Sequence, residues 1–195
     1  MLRAIMPLRT FIAVAASAEI RQAAQKLISR LQRSEAAHDV KWVASENLHW
    51  TLQFLGNVDE LNIPEVCKAV ATAALESEPF DIEARGAGAF PSADRPRTLW
   101  LGAGPGAREM IALQKAVERR LRKRGYRGEE RRFVPHITLG RAGRKGSPQS
   151  LADELAAFAD YDAGTMLVDE VTVYSSQLGR DGPTYDILAR APLSL

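Results

Sequence analysis

Two tetrapeptides carry the residue types best suited to chemistry in this chain: His49-Trp50-Thr51-Leu52 and His136-Ile137-Thr138-Leu139. Each has the form His-x-Thr-x, and together they use two of the three histidines in the sequence. Two imidazoles that titrate near neutrality can share proton transfer, one accepting a proton from water and the other donating one to a leaving oxygen. Such a pair suits the cleavage of a phosphodiester, and the threonine hydroxyls can hydrogen-bond its non-bridging oxygens.

The first motif lies in the clearest predicted strand of the chain. Residues 47–54 alternate polar and apolar side chains, and Gly56 follows them. Side chains two positions apart share one face of a strand, so His49 and Thr51 should project together from the polar face. The same alternation places Phe54 in the core.

A second predicted strand, Phe133–Arg141, carries His136 and Thr138. Its alternation puts Arg141 on the face opposite His136, unless the chain bends at Gly140. A charged stretch precedes this strand, with eight arginines and lysines between residues 119 and 132. This stretch has two interpretations: the solvated face and end of a helix, or a rim that attracts phosphate.

The remaining periodicity predicts alternating strands and helices. We expect further strands over 9–16, 80–84, 98–102, 165–174 and 185–191, and helices over about 18–31, 64–77, 107–124 and 147–158. Ser17 and Ser147-Pro148 are predicted helix starts, and the segment 86–96, rich in Gly and Pro, is predicted to be a loop. Tyr174 and Tyr185 are expected to be packing residues.

The two motifs occupy equivalent places in a repeated pattern. His49 follows Phe11 by 38 residues, and His136 follows Thr98 by the same number. Both halves therefore show strand, helix, loop and a strand with His-x-Thr, which predicts an internal duplication within one domain spanning residues 1–195. Two pseudo-symmetric lobes would then bring the histidines together over a shared cleft.

Composition limits the class of protein. The 195 residues are 46% hydrophobic and 26% charged with a net charge of +2, and no apolar run approaches the length of a membrane span. The single cysteine excludes an internal disulfide, and no carboxylate shares the polar face of either motif strand. We expect a cytoplasmic monomer that needs neither metal nor cofactor and does not bind membranes.

An ordered set of motifs resembles one known family. The segments are Arg9-Thr-Phe-Ile-Ala-Val, residues 42–56 around the first motif, Ala89-Phe-Pro with Arg97-Thr-Leu-Trp-Leu-Gly, Pro135-His-Ile-Thr-Leu-Gly-Arg, Val173-Tyr-Ser-Ser-Gln-Leu and Pro183-Thr-Tyr. They are similar to the 2H phosphoesterase superfamily and, within it, to the bacterial RNA 2',3'-cyclic phosphodiesterases, also called 2'-5' RNA ligases. The resemblance covers nearly the whole chain.

The resemblance implies a bilobal α/β (α+β) fold with antiparallel sheets lining a central cleft and helices outside. It also implies hydrolysis of RNA 2',3'-cyclic phosphate ends to 2'-phosphomonoesters, with His49 as proton donor and His136 as acceptor. Thr51 and Thr138 match the threonines of the family's two motifs, and Arg141 matches a position that often carries a basic residue near the phosphate in such enzymes. The name of the family also records a reverse reaction that joins RNA ends through a 2'-5' linkage.

The sequence leaves two other functions open. The substrate of a 2H phosphodiesterase could instead be a 2'-5' oligonucleotide or a small cyclic nucleotide. The chain could also be a non-catalytic RNA-binding module with an incidental cleft. Turnover of a cyclic phosphate separates an enzyme from a binding module.

Overall fold

Nine strands, four α-helices and three short 3-10 helices form in the described part of the chain. The computed structural model describes residues 6–93, 95–128, 131–143, 149–179 and 182–194. The strands are Leu8–Ala15 (β1), Val40–Trp42 (β2), His49–Val58 (β3), Phe80–Phe90 (β4), Thr98–Ala103 (β5), His136–Ala142 (β6), Asp162–Val168 (β7), Glu170–Gly179 (β8) and Gly182–Pro192 (β9). The helices are Ala18–Leu31 (α1), Ile63–Ala74 (α2), Ala107–Arg122 (α3) and Gln149–Ala156 (α4).

The helices form where apolar periodicity and start signals coincide. The hydroxyl of Ser17 accepts a hydrogen bond from the backbone N–H of Ile20 and so caps α1. Pro64 lies in the first turn of α2, and Gly125 adopts a left-handed conformation just beyond α3. The predicted start of α4 at Ser147-Pro148 lies outside the described residues. No helix in the described ranges is both long and apolar enough to cross a bilayer.

All the strands join one antiparallel path in the order β7-β4-β5-β6-β3-β1-β8-β9, with β2 added to β6. The sheet curls into a half-barrel, so the fold is a mixed α+β arrangement as predicted. The two motif strands, β3 and β6, are neighbours at its centre and share one registered pair, Trp50 with Ile137. The histidines are therefore brought together by adjacent strands.

The two halves of the sheet have equivalent registers. Ala13 pairs with Thr51 and Ala15 with His49 across β1 and β3, and the residues 87 positions later pair in the same way across β5 and β6. Both pairings contain a register shift at the same place, between Ile12 and Ala13 and between the equivalent residues of β5. The equal registers support the predicted duplication, which stays a prediction.

The helices pack on one face of the sheet and leave the other open. Helix α1 packs on β7 and α4 on β4, whereas α2 contacts β8, β9 and α3. The hydroxyl of Tyr161 reinforces the first of these contacts by donating to the carbonyl of Ala23 at 2.9 Å. The core lies between the helices and the sheet. We call the helix-free side of the sheet the open face.

Two predicted element boundaries were wrong. Strand β4 continues from the predicted Phe80–Ala84 segment to Phe90, through glycines that predicted a loop. Gly86 has φ of +77° at an irregularity in the pairing, and a Cβ on Gly88 would lie 2.4 Å from the Trp100 ring. These glycines therefore serve a bulge and a close contact rather than a turn.

The second error concerns the predicted strand over residues 165–174. It is two strands, β7 and β8, with Asp169 between them, and they pair with β4 and β1 at distant positions in the sheet. The charged pair Asp169-Glu170 lies at the break, but apolar residues resume directly after it, so the segment was predicted as one strand.

Candidate active site

Four side chains of the two motifs form a compact group on adjacent strands. The pair Trp50 and Ile137 is buried, and its neighbours along each strand are half-buried on the open face. Because β3 and β6 are antiparallel, His49 is placed beside Thr138, and Thr51 beside His136. The two histidines are diagonal neighbours, which in such a ladder lie roughly 7–8 Å apart.

Backbone carbonyls fix the tautomer of both histidines. The Nδ1 of His49 lies 2.7 Å from the Asn47 carbonyl oxygen, and the Nδ1 of His136 lies 2.7 Å from that of Val134. A carbonyl oxygen only accepts hydrogen bonds, so Nδ1 must carry the proton in each ring. In the neutral ring Nε2 is then the unprotonated nitrogen, and it is the one that can exchange a proton with a substrate.

Burial changes the proton affinity of His49. Loss of hydration lowers the pKa of His49 from 6.5 to about 4, while the Asn47 carbonyl acts in the opposite direction. The positive charges of His136 and Arg21 lower this pKa further, so both lie close enough to His49 to act on it. His49 is therefore neutral at pH 7 in the free protein.

Two bulges bring further side chains to the open face. Leu52 is left unpaired between Gln53 and Thr51, which pair with the consecutive residues Ile12 and Ala13. The extra residue reverses the alternation, so Gln53 is buried and Phe54 is 46% exposed on the His49 side. The prediction of a core position for Phe54 was therefore wrong.

The equivalent bulge in β6 moves Arg141. Leu139 is skipped where Leu99 and Trp100 pair with Gly140 and Thr138. Arg141 is exposed on the His136 side, against the alternation, and donates a hydrogen bond to the Thr98 hydroxyl at 3.1 Å. The bulge, and not a bend at Gly140 alone, brings it there.

Aromatic rings lie around His49, and an aromatic ring also lies beside His136. The Phe11 ring lies 5.0 Å from His49, and Tyr185 meets His49 edge-on at 5.5 Å. Tyr174 stacks on Phe11 at 5.1 Å, so both tyrosines belong to the candidate site as well as to the packing around Phe11. Phe90 meets His136 edge-on at 5.0 Å. Phe11 was missed because its apolar segment predicted only a core strand.

The arginine stretch before β6 lies largely on the helix side of the molecule. Arg119 and Arg120 pair with Glu76, just beyond the end of α2, and Arg124 pairs with Glu65 within that helix. The interpretation as a helix face is confirmed for these three arginines. Among the described residues, no group of three or more His, Cys, Asp or Glu side chains converges as a metal site would require.

Comparison with known proteins shows which proteins this chain is similar to. The family model described as the 2'-5' RNA ligase superfamily matches residues 16–180. A protein of Aeropyrum pernix named RNA 2',3'-cyclic phosphodiesterase is 38% identical over 163 residues, covering 83% of this chain and 92% of that protein. A protein of the same name from Methanothermobacter thermautotrophicus is 34% identical over 180 residues, covering 92% of this chain and 96% of that protein.

Solved structures share the fold over almost the whole chain. The crystal structure of the Thermus thermophilus protein TT0787 superposes with a TM-score of 0.76 at 25% identity, covering 95% of this chain and 97% of that one. The E. coli LigT structure complexed with 3'-AMP superposes with a TM-score of 0.73 at 28% identity, covering 97% of this chain and 99% of that one.

Proposed function

Because the chain belongs to the 2'-5' RNA ligase superfamily, we propose that it hydrolyses RNA 2',3'-cyclic phosphate ends to 2'-phosphomonoesters with His49 and His136 as the acid–base pair. One observation carries the proposal. Two histidines with the same fixed tautomer lie on adjacent central strands, each beside the threonine of the other motif. The E. coli LigT complexes with 3'-AMP and with phosphate support a nucleotide ligand for this fold.

The proposed reaction removes one proton from the attacking water on one side of the phosphorus atom and adds one to the leaving oxygen on the other side. His136 Nε2 takes a proton from water as the water oxygen bonds to phosphorus. The bond from phosphorus to the ribose O3' breaks, and O3' takes a proton from His49 Nε2. The products are a 2'-phosphomonoester and a 3'-hydroxyl, and the two histidines have exchanged protonation states.

Thr51, Thr138 and Arg141 would hold the non-bridging oxygens. Within the described residues neither threonine hydroxyl has a protein hydrogen-bond partner, so both are available to a ligand. The exposed Arg141 guanidinium supplies a positive charge on the same face. Donors of this kind stabilise the extra negative charge of the pentacoordinate transition state.

The low pKa of His49 sets a condition for its role as donor. His49 is neutral at pH 7 in the free protein, yet a general acid must be protonated. A bound phosphodiester adds a negative charge next to the ring, which favours the imidazolium. We therefore propose that His49 becomes protonated when the substrate binds, so that the proton donor forms only in the complex.

The test uses a short RNA that ends in a 2',3'-cyclic phosphate, incubated with protein in the presence of EDTA. We expect conversion to a 2'-phosphate end at a rate that the chelator does not change. Loss of turnover in His49→Ala and His136→Ala, with RNA binding retained, would support the acid–base roles. A 3'-phosphate product would mean that the other bond to phosphorus breaks and would contradict the proposed step.

The same assay separates the other functions. RNA binding without turnover of any cyclic phosphate would favour a binding module, and cleavage of a 2'-5' oligonucleotide alone would favour the other phosphodiesterase activity. Added RNA with a 5'-hydroxyl tests the reverse reaction, in which that hydroxyl replaces water and a 2'-5' linkage forms.

We also propose that the protein is a monomer and that it acts in the cytoplasm on an RNA end. Its single cysteine suits a reducing compartment. Light scattering during size-exclusion chromatography should give a mass near 21.4 kDa, and twice that mass would contradict the monomer.

A further inference from the structure

The open face of the sheet half that carries His49 is arranged in rows that run away from the histidine. The first rows hold His49 and Thr51, opposite Ala15 and Ala13 of β1. The next row holds three aromatic side chains from neighbouring strands, namely Phe54, Phe11 and Tyr174. Beyond them lies a polar row of four residues: Asn57, Arg9, Ser176 and Tyr185.

Arg9 is the cation of this polar row. Its position on β1 is two residues from Phe11, so both side chains project from the open face. The residue is exposed, and among the described residues no ion pair or side-chain hydrogen bond involves it. Within the part of the chain that the structure describes, the row therefore offers a guanidinium with no carboxylate partner, flanked by the neutral polar side chains of Asn57 and Ser176.

Tyr185 connects this row to the catalytic group. Its ring lies 5.5 Å from that of His49, and it is paired with Ser176 at the level of Arg9. Burial raises the pKa of the Tyr185 hydroxyl, and the charges of Arg141 and Arg9 act against this rise. Both cations therefore lie near this ring, on the same surface as the histidines.

We infer that Arg9 binds the phosphate that links the last nucleotide of the RNA to the one before it, and so gives the site a preference for RNA over a mononucleotide. The inference rests on the proposed function, since it places the cyclic phosphate between the histidines. The occupant is an RNA strand because a guanidinium with no carboxylate partner is complementary to a phosphodiester and can bind it through two hydrogen bonds.

The order of these groups along the sheet matches one nucleotide step. The His49 ring lies 5.0 Å from the Phe11 ring, and Arg9 lies two residues further along β1, which is about 7 Å in a strand. A phosphate at the histidines and one at Arg9 would then bracket the aromatic row. The aromatic row gives the intervening nucleoside an apolar surface, and Phe54 is the most exposed of its three side chains.

The experiment compares kcat/KM for adenosine 2',3'-cyclic phosphate with that for a dinucleotide ending in the same cyclic phosphate. Wild-type protein should prefer the dinucleotide, and Arg9→Gln should reduce this preference about tenfold, as expected for loss of a hydrogen bond between charged groups. A dinucleotide with an uncharged methylphosphonate linkage should lose the preference in wild type. Arg122→Gln, an exposed arginine on the helix side, is the matched control and should keep the preference.

The possible outcomes test the role of Arg9 and the proposed hydrolase function separately. Equal preference in wild type and Arg9→Gln, or a wild type that does not distinguish the substrates, would overturn the inference while the hydrolase stands. Failure of wild type to turn over either substrate would instead overturn the proposed function. Arg9→Lys should restore part of the preference, because lysine keeps the charge but not the planar pair of donors. Circular dichroism checks that each variant is folded.

Discussion

At the scale of single residues, the two histidines have matching hydrogen bonds and different surroundings. Each donates its Nδ1–H to a carbonyl two residues earlier in the chain. His49 is enclosed by Phe11, Tyr174 and Tyr185, whereas His136 has Phe90 beside it and Arg141 further along the same strand. A difference in environment of this kind is what separates the proton affinities of two chemically identical groups and assigns them different roles.

A substrate with a good leaving group distinguishes these roles. On RNA cyclic phosphates, His49→Ala and His136→Ala should each lower kcat by about 10²–10⁴-fold, the usual effect of removing a general acid or base. On a p-nitrophenyl phosphodiester the leaving group needs no proton, so His49→Ala should regain most of the loss and His136→Ala should not. Release of p-nitrophenolate measures both. Recovery in His136→Ala alone would mean that the donor and acceptor are exchanged.

At the scale of elements, two bulges decide which residues surround the histidines. Alternation in the sequence correctly predicted the open-face positions of His49, Thr51, His136 and Thr138 because these residues precede each bulge. It failed beyond Leu52 and Leu139, since a bulge is a feature of strand pairing and leaves no mark on the hydropathy of one strand. Phe54 and Arg141 are equivalent residues displaced by equivalent bulges.

The loss of unfolding free energy in a Phe54 variant shows whether this side chain lies in the core. Phe54→Ala should lower the free energy of unfolding by less than about 1 kcal/mol, because the side chain is 46% exposed on the open face. A core phenylalanine would lose about 3–5 kcal/mol on the same change. Urea denaturation gives the value, and Leu52→Ala, at a side chain that is 3% exposed, is the buried control, expected to lose about 2–5 kcal/mol. Equal losses in the two variants would place Phe54 in the core.

At the scale of the whole molecule, the first helix of each sequence half packs outside its own strands. Helix α1 follows β1 but packs on β7, and α3 follows β5 but contacts β3 and α2. The helices are predictable from their apolar periodicity. Their exchange between the two halves is not predictable, because it depends on which strands become neighbours. We propose that an internal duplication produced both halves. The exchange would then tie them into one core and hold β3 beside β6.

Burial of His49 has a consequence for the whole fold, because its pKa of about 4 in the folded state lies below the ordinary value of 6.5. Between these values the unfolded chain binds more protons than the folded one, so acid favours unfolding. The contribution of neutral His49 to the free energy of unfolding is complete above pH 6.5 and is lost as the pH falls towards 4. The difference of 2.5 pKa units corresponds to about 3 kcal/mol.

We therefore expect the difference in unfolding free energy between wild type and His49→Gln to change by about 3 kcal/mol between pH 7 and pH 4, to the disadvantage of wild type in acid. Urea denaturation at a series of pH values measures it, and carboxylates common to both proteins cancel in the difference. His38→Gln controls for the loss of an exposed histidine. Parallel curves would show that His49 titrates alike in the folded and unfolded chains. The lowered pKa of His49 in the free protein, and with it the proposal that substrate binding must charge this ring, would then be wrong.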